Sequence, residues 1–125
     1  MKIEVSNGEV LDKLSILEVK GLKLEDKGKL EYVHKEYECL KEEVSSLEFS
    51  LADPTYTRLR DINFELWGIE DSIRGKELLD EFDEEFIQLS RSIYILNDER
   101  FRLKNKINKQ TSSKFQEQKG HRNTS

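Results

Sequence analysis

The chain lacks most of the features on which particular classes of protein depend. It has 125 residues with one cysteine, Cys39, and one proline, Pro54. A single cysteine excludes an intramolecular disulfide framework and a zinc site built from several thiolates. The longest apolar run, 93–96, is far shorter than the ~18 apolar residues that a membrane-spanning helix needs. Residues 1–5 include an acid and no apolar core, so we expect no secretory signal and a cytoplasmic location.

Motifs for catalysis or cofactor binding are also missing. The six glycines are scattered and form no phosphate-binding loop. Glu31 and His34 have the spacing of a di-iron bundle motif, but the second motif and the two further glutamates are missing. Cys39 and His34 lie too far apart around a helix to form a catalytic pair. The sequence therefore predicts no metal site, no cofactor and no catalytic residue, and it favours a protein that is not an enzyme.

Charge and helical periodicity are what the sequence has in abundance. Charged residues make up 38% of the chain and hydrophobic residues 35%. Apolar residues recur in alternating steps of three and four, most clearly from Leu30 to Leu51, as in helical bundles and coiled coils. This spacing predicts an all-α fold, with helices near 7–25, 29–51, 54–78 and 83–110.

The predicted helix ends carry recognisable signals. Ser6 with Glu9 three residues later matches a capping box, and Asp53 before Pro54 matches an N-cap followed by proline in the first turn. Gly28 is suited to end the first helix with a positive φ. Asp80 or Asp83 is the candidate N-cap of the fourth helix.

Short connections between long helices predict an antiparallel, up-down four-helix bundle over residues 1–110. A short extended lead-in precedes it, and residues 111–125 read as a disordered, flexible basic tail. Counting outward from the turns sets four residues at one level of the core: Leu14, Leu40, Leu66 and Leu96. Because the first helix is short, the level of Leu47, Leu59 and Leu103 lacks a fourth member. Ile3 and Val5 cover that end, or it is open for a partner.

Polar residues interrupt the apolar seams of the third and fourth helices. Arg100 occupies a seam position, and the layer count sets it opposite Asn63 and near Asp61. An unpaired buried charge is costly, so this arginine needs a partner. Two readings stay open: a pocket that binds an anion or small ligand, and a structural network or surface-reaching arginine. The candidate ligand-binding residues are Asn63, Glu70, Asp71, Arg74, Asn97, Asp98 and Arg100.

Charge is unevenly distributed along the chain. Residues 1–99 carry 25 acidic and 13 basic side chains, whereas residues 100–125 carry one acidic and eight basic side chains. A basic segment of this kind is typical of an arm for nucleic acid or anionic lipid. The alternative is that the basic tail folds back on the acidic body.

Four stretches resemble a known family of small helical proteins from bacteria and phages that is classed as a domain of unknown function. Their patterns are Leu-Asp-Lys-Leu-x-Ile-Leu-Glu from residue 11, Leu-Trp-x-Ile-Glu-Asp-x-Ile-Arg from residue 66, Asn-Asp-x-Arg from residue 97, and Leu-Lys with Ile-Asn between 103 and 108. The resemblance covers nearly the whole chain and implies a helical fold but no activity. It departs at Gly120 and His121, where an aromatic residue is common in the family.

Three hypotheses for function follow from the sequence. The first is a non-enzymatic protein acting through protein–protein contact, as a homodimer through the incomplete end layer, with Phe64 and Trp67 as anchors. The second is a small-molecule or anion binder, or an enzyme, using the polar residues between the third and fourth helices. The third is a nucleic-acid accessory protein whose basic arm is residues 100–125.

Overall fold

A computed structural model describes residues 1–122, and the elements within that range are four helices and no strand. The helices are α1 (Asn7–Lys23), α2 (Lys27–Ser45), α3 (Pro54–Leu78) and α4 (Glu84–Gln110). The all-α prediction is confirmed, and the predicted bounds of α3 are those observed. The predicted end of α2, at 51, is wrong by six residues. No helix in the described range is long and apolar enough to cross a membrane.

Side-chain caps begin all four helices. Ser6 accepts a hydrogen bond from the Glu9 N–H, and Asp53 accepts one from the Thr55 N–H, as predicted. Asp83, and not Asp80, caps α4: its carboxylate accepts the Phe86 N–H at 2.9 Å, which lowers the pKa of Asp83. The expectation for Gly28 is wrong, because this residue lies inside the first turn of α2 and has no positive φ.

The end of the core that was predicted to lack a fourth residue is closed, but by neither of the two expected means. Leu59 and Ile107 are fully buried there. The segment after α2 does not continue the helix, and it places Leu47, Phe49 and Leu51 against the core. The extended residues before α1 do not cover this end of the core, since Ile3 and Val5 are exposed. A partner is therefore not needed to complete this end of the molecule.

Helix α1 is the centre of the fold. It packs against α2, α3 and α4, whereas the backbone of α2 comes close to α1 and to no other helix in the described range. The predicted up-down bundle is not confirmed, because α2 and α3 follow one another along the chain but their backbones do not come close together in the described range. Val44 near the end of α2 still reaches the buried cluster that contains Tyr56 and Leu59. The core thus lies around α1, the first half of α3 and the last half of α4.

The remaining halves of α3 and α4 form a hairpin, and near its base it lines depressions shared with α1 and with the C-terminal residues. Lys76 pairs with Glu85 beside its turn, and Arg58 pairs with Glu99 at the opposite end. We call residues 67–97 the distal hairpin. Not one side chain in this segment is buried, although its apolar residues continue the helical spacing. The apolar side chains of the distal hairpin are therefore accessible to the surface of another protein.

Candidate functional site

A row of polar side chains, which we call the polar seam, joins α1 to α3 and α4. It contains the charge partner of Arg100. Arg100 donates from Nε and Nη2 to the two carboxylate oxygens of Asp12, at 2.8 and 2.5 Å. Asp12 is 1% exposed, and the Nδ2 of Asn63 donates to it at 2.9 Å and to the Ser15 hydroxyl at 2.7 Å. The hydrogen bonds to Asp12 raise the pKa of Arg100. The expected neighbour Asn63 is thus present, but the charge partner is Asp12 and not Asp61.

The seam continues along α4 to Lys104. Its buried ammonium lies 2.8 Å from a carboxylate oxygen of Glu9 and 2.8 Å from one of Glu117. Burial alone would lower the pKa of Lys104, but the hydrogen bonds to Glu117 and Glu9 outweigh it and the pKa is raised. Glu9 therefore serves this ion pair instead of closing the capping box with Ser6. Through these two ion pairs, Lys104 connects the start of α1 to the residues after α4, 111–122, which we call the C-terminal segment.

The seam ends at a close contact between the backbones of α1 and α4. The fully buried Asn108 side chain accepts a hydrogen bond from the Gly8 N–H at 2.6 Å. A Cβ atom at Gly8 would lie 2.3 Å from the carbonyl oxygen of Lys104. Only glycine fits here, and its missing side chain sets how closely α1 approaches α4.

The C-terminal segment lies against the body instead of extending away from it. The Ser113 hydroxyl accepts the Asn7 N–H at 2.9 Å, and Lys119 forms an ion pair with Asp98. Glu117 reaches Lys104 as described, and Lys114 pairs with Glu4 at the surface. The prediction of a disordered tail is thus not confirmed for residues 113–119, and residues 123–125 lie outside the described range. The fold-back alternative describes these contacts better.

Deleting residues 113–125 is expected to lower the free energy of unfolding by about 1–2 kcal/mol, because Lys104 and Asp98 each lose a charged hydrogen-bond partner. Urea unfolding followed by circular dichroism measures this change. Lys114→Ala is the control, since an exposed ion pair contributes less than about 1 kcal/mol. A truncated chain as stable as the full chain would show that these contacts do not hold the segment.

The predicted ligand-binding residues divide among three places. Four of them meet at a small crevice of about 190 Å³, walled by Trp67 and Ile16, namely Asn63, Glu70, Asn97 and Arg100. Asp71 and Arg74 line a separate depression of about 260 Å³ with Glu70 and Trp67. Asp98 faces the C-terminal segment and, together with Asn97 and Arg100, lines a cavity of about 600 Å³ there. The structure therefore does not bring the seven residues together in one pocket.

A second polar cluster, centred on Glu18, was not predicted from the sequence. The Glu18 carboxylate accepts the hydroxyl of Tyr37 at 3.2 Å and that of the fully buried Tyr56 at 2.9 Å. Burial and the Glu18 charge raise the pKa of Tyr56 far above its ordinary value. Arg60 lies 3.7 Å from the same carboxylate, beside an open cavity of about 630 Å³. No periodicity signals this cluster, because its members come from three helices.

The distal hairpin presents an unusual amount of apolar surface. Leu78 is 86% exposed and Tyr94 is 65% exposed, and four more large side chains on this segment are also exposed, namely Leu79, Phe82, Ile87 and Ile95. Phe82 and Phe86 pack edge to face with ring centroids 5.2 Å apart. Exposed apolar side chains concentrated on one segment favour an interaction surface. This segment is thus the second candidate site.

The two predicted partner anchors lie at the base of this segment. Trp67 is partly exposed and forms a wall of both small depressions. Phe64 is 42% exposed, and the Lys23 ammonium lies 4.4 Å from its ring centroid. Trp67 is therefore the better placed of the two to meet a partner on the distal hairpin.

Comparison with known proteins adds a family but no activity. No curated protein and no solved structure matches the chain. One family model, described as a family of unknown function, matches residues 1–125. That match covers every helix, the polar seam and the distal hairpin. The family membership predicted from the sequence motifs is confirmed, and the chain belongs over its whole length to DUF6165, a family of unknown function.

Proposed function

We propose that this chain is a non-enzymatic protein that acts through protein–protein contact, and that the distal hairpin is its contact surface. One observation carries the proposal: residues 67–97 contain no buried side chain although they carry the apolar spacing of a helical core. Full burial of a leucine or phenylalanine side chain contributes about 1.5–3 kcal/mol. A partner that covers the exposed side chains of this segment gains a substantial part of that free energy.

The hairpin also has the form that such a surface requires. We take α3 and α4 to run in opposite directions, as their short connection requires. The pairs Lys76–Glu85 and Arg58–Glu99 support this arrangement. Two antiparallel helices present side chains on a shared face, and helix–helix docking uses side chains at spacings of three and four. The distal hairpin therefore favours a helical partner.

The ligand-binding alternative receives less support from the polar seam. Both carboxylate oxygens of Asp12 already hold Arg100, so an anion would have to compete with a buried carboxylate. Arg100 lines a crevice of about 190 Å³ and a cavity of about 600 Å³ beside the C-terminal residues, but at both its guanidinium is already held by Asp12. We therefore assign the seam to stability and not to ligand binding.

The nucleic-acid alternative is also weakened by the contacts of the basic segment. Lys104, Lys114 and Lys119 are all engaged in ion pairs with carboxylates of this chain. A nucleic acid would have to displace those pairs while approaching an acidic body.

Site-specific photocrosslinking tests the proposal. A photoreactive phenylalanine analogue replaces Tyr94 in the distal hairpin or, as the matched control, Tyr32 on α2, which is 80% exposed. We expect discrete protein adducts from position 94 in intact cells and few from position 32. Both positions expose an aromatic ring, so a difference reports the location and not the chemistry. Equal labelling from both positions, or none from position 94, would contradict the proposal.

A further inference from the structure

We infer that the partner of the distal hairpin is a second copy of this chain, paired with the first around a two-fold axis so that the two hairpins run antiparallel. The inference rests on the proposed function and names its partner. Two hairpins packed face to face form a four-helix arrangement, which covers the apolar side chains that one hairpin leaves exposed. A two-fold interface uses the same surface on both copies, so each needs only the residues already described.

The charge of the segment is the second argument. The distal hairpin carries eight acidic and three basic residues, a net charge of −5. The acids concentrate at the tip, residues 77–85, which contains six acidic residues and no basic one. Lys76 beside the tip contacts three of them, Glu81, Asp83 and Glu85. A cationic surface on the partner is therefore needed opposite the tip.

The same chain supplies that cationic surface just beyond the base of the hairpin. Residues 100–122 carry eight basic residues and one acidic residue. The cavity beside the base, next to Tyr94, is lined by Lys119 and Arg122 of the C-terminal segment, and Lys119 is already paired there with Asp98. Antiparallel pairing brings each acidic tip to the partner's base, whereas parallel pairing would bring the two acidic tips together. Charge thus favours antiparallel over parallel pairing of two copies.

Helix geometry fixes the level of the two-fold axis. Residues 67–78 of α3 span about 18 Å at 1.5 Å per residue. When the tip of one copy lies level with the base of the other, the axis crosses the hairpin at half its height. On α4, Ile87 and Gln88 lie level with the middle of residues 67–78, as the register set by the Lys76–Glu85 and Arg58–Glu99 pairs requires. Only residues near this level meet their own copies across the axis.

Sedimentation equilibrium of the purified full chain tests self-association. We expect a monomer–dimer equilibrium that shifts toward monomer with added salt, because part of the attraction is electrostatic. Tyr94→Glu removes apolar area and places an acid opposite the acidic tip, so it should raise the dissociation constant at least tenfold. Tyr32→Glu is the control and should leave it unchanged. A strictly monomeric wild-type chain at 100 µM, about the upper end of biologically useful weak association, would overturn the inference.

Single cysteines test the orientation in a Cys39→Ser background, which removes the one native thiol. Cysteine at position 87 or 88 should form a disulfide-linked dimer under mild oxidation, and cysteine at position 81 in the tip should not. Efficient crosslinking at position 81 with none at 87 or 88 would contradict antiparallel pairing. Thiol accessibility, measured with a maleimide, controls for burial.

The adduct mass separates this inference from the proposed function. Photocrosslinking at position 94 that gives a product of twice the chain mass supports both. A discrete adduct of another mass, together with a monomeric purified chain, leaves the proposed function standing and overturns the homodimer. Absence of any adduct overturns both.

Discussion

Arg100→Met is expected to lower the free energy of unfolding by about 3–5 kcal/mol, because it leaves the carboxylate of Asp12 buried without its cation. Asp12 is 1% exposed and would retain only the hydrogen bond from Asn63 as neutral compensation. A loss of this size is a large fraction of the 5–15 kcal/mol typical of a folded domain. Urea unfolding followed by circular dichroism measures it.

Replacing both charges should recover much of that loss. Asp12→Leu combined with Arg100→Met removes the buried charge and its partner together, and such exchanges are often neutral or stabilising. We expect the double variant to exceed the single variant by at least about 2 kcal/mol. Arg58→Met is the matched control, since its two-point contact with Glu99 is exposed and should contribute less than about 1 kcal/mol. An Arg100→Met protein within about 1 kcal/mol of wild type would refute the assigned role of the pair.

Gly8→Ala is expected to destabilise the protein by about 3 kcal/mol, the upper end of the usual overpacking range. The added methyl group would lie 2.3 Å from the Lys104 carbonyl oxygen and 2.9 Å from the Asn108 side chain. The first of these atoms is backbone and cannot rotate away, so α1 must move off α4. That movement also lengthens the hydrogen bond from the Gly8 N–H to Asn108. Thermal and urea unfolding both report the change.

Gly21→Ala is the control for Gly8→Ala. Both glycines lie in α1, but nothing lies within 4 Å of a Cβ atom built at Gly21. Alanine is the better helix former by about 1 kcal/mol, so this variant should be slightly more stable than wild type. Destabilisation of equal size at both positions would indicate a general effect on α1 and would contradict the close α1–α4 contact.

The helices and most of their ends could be predicted because their signals are local. Alternating steps of three and four place each helix, and the caps act on N–H groups two or three residues away. Asp53 and Pro54 fix the start of α3 in this way. The end of α2 was missed because Leu47 and Leu51 keep the helical spacing while packing on the core from a loop. Periodicity alone cannot separate these two uses of an apolar residue.

Contacts between distant residues could not be predicted. Arg100 was recognised as needing a partner, but Asp12 lies 88 residues away, and neither composition nor spacing distinguishes it from the other acids. The predicted bundle has helices that follow one another along the chain as neighbours, whereas the backbone of α2 comes close to α1 and to no other helix in the described range. The uncovered apolar surface is therefore the distal hairpin and not the end of the core at Leu59. Trp67 and Glu70 were predicted as candidate residues from the sequence, but only the structure places them at the base of the distal hairpin.

Hydrogen exchange of the wild-type chain at two protein concentrations is the most direct test of the central claim that the distal hairpin is an uncovered surface which a partner closes. At low concentration, amides of residues 69–96 should exchange much faster than those of 56–66 and 103–108, since few buried contacts oppose local opening. Raising the concentration should slow exchange in the distal hairpin selectively and leave α2 unchanged. Protection of the distal hairpin equal to that of the core at every concentration would contradict the account.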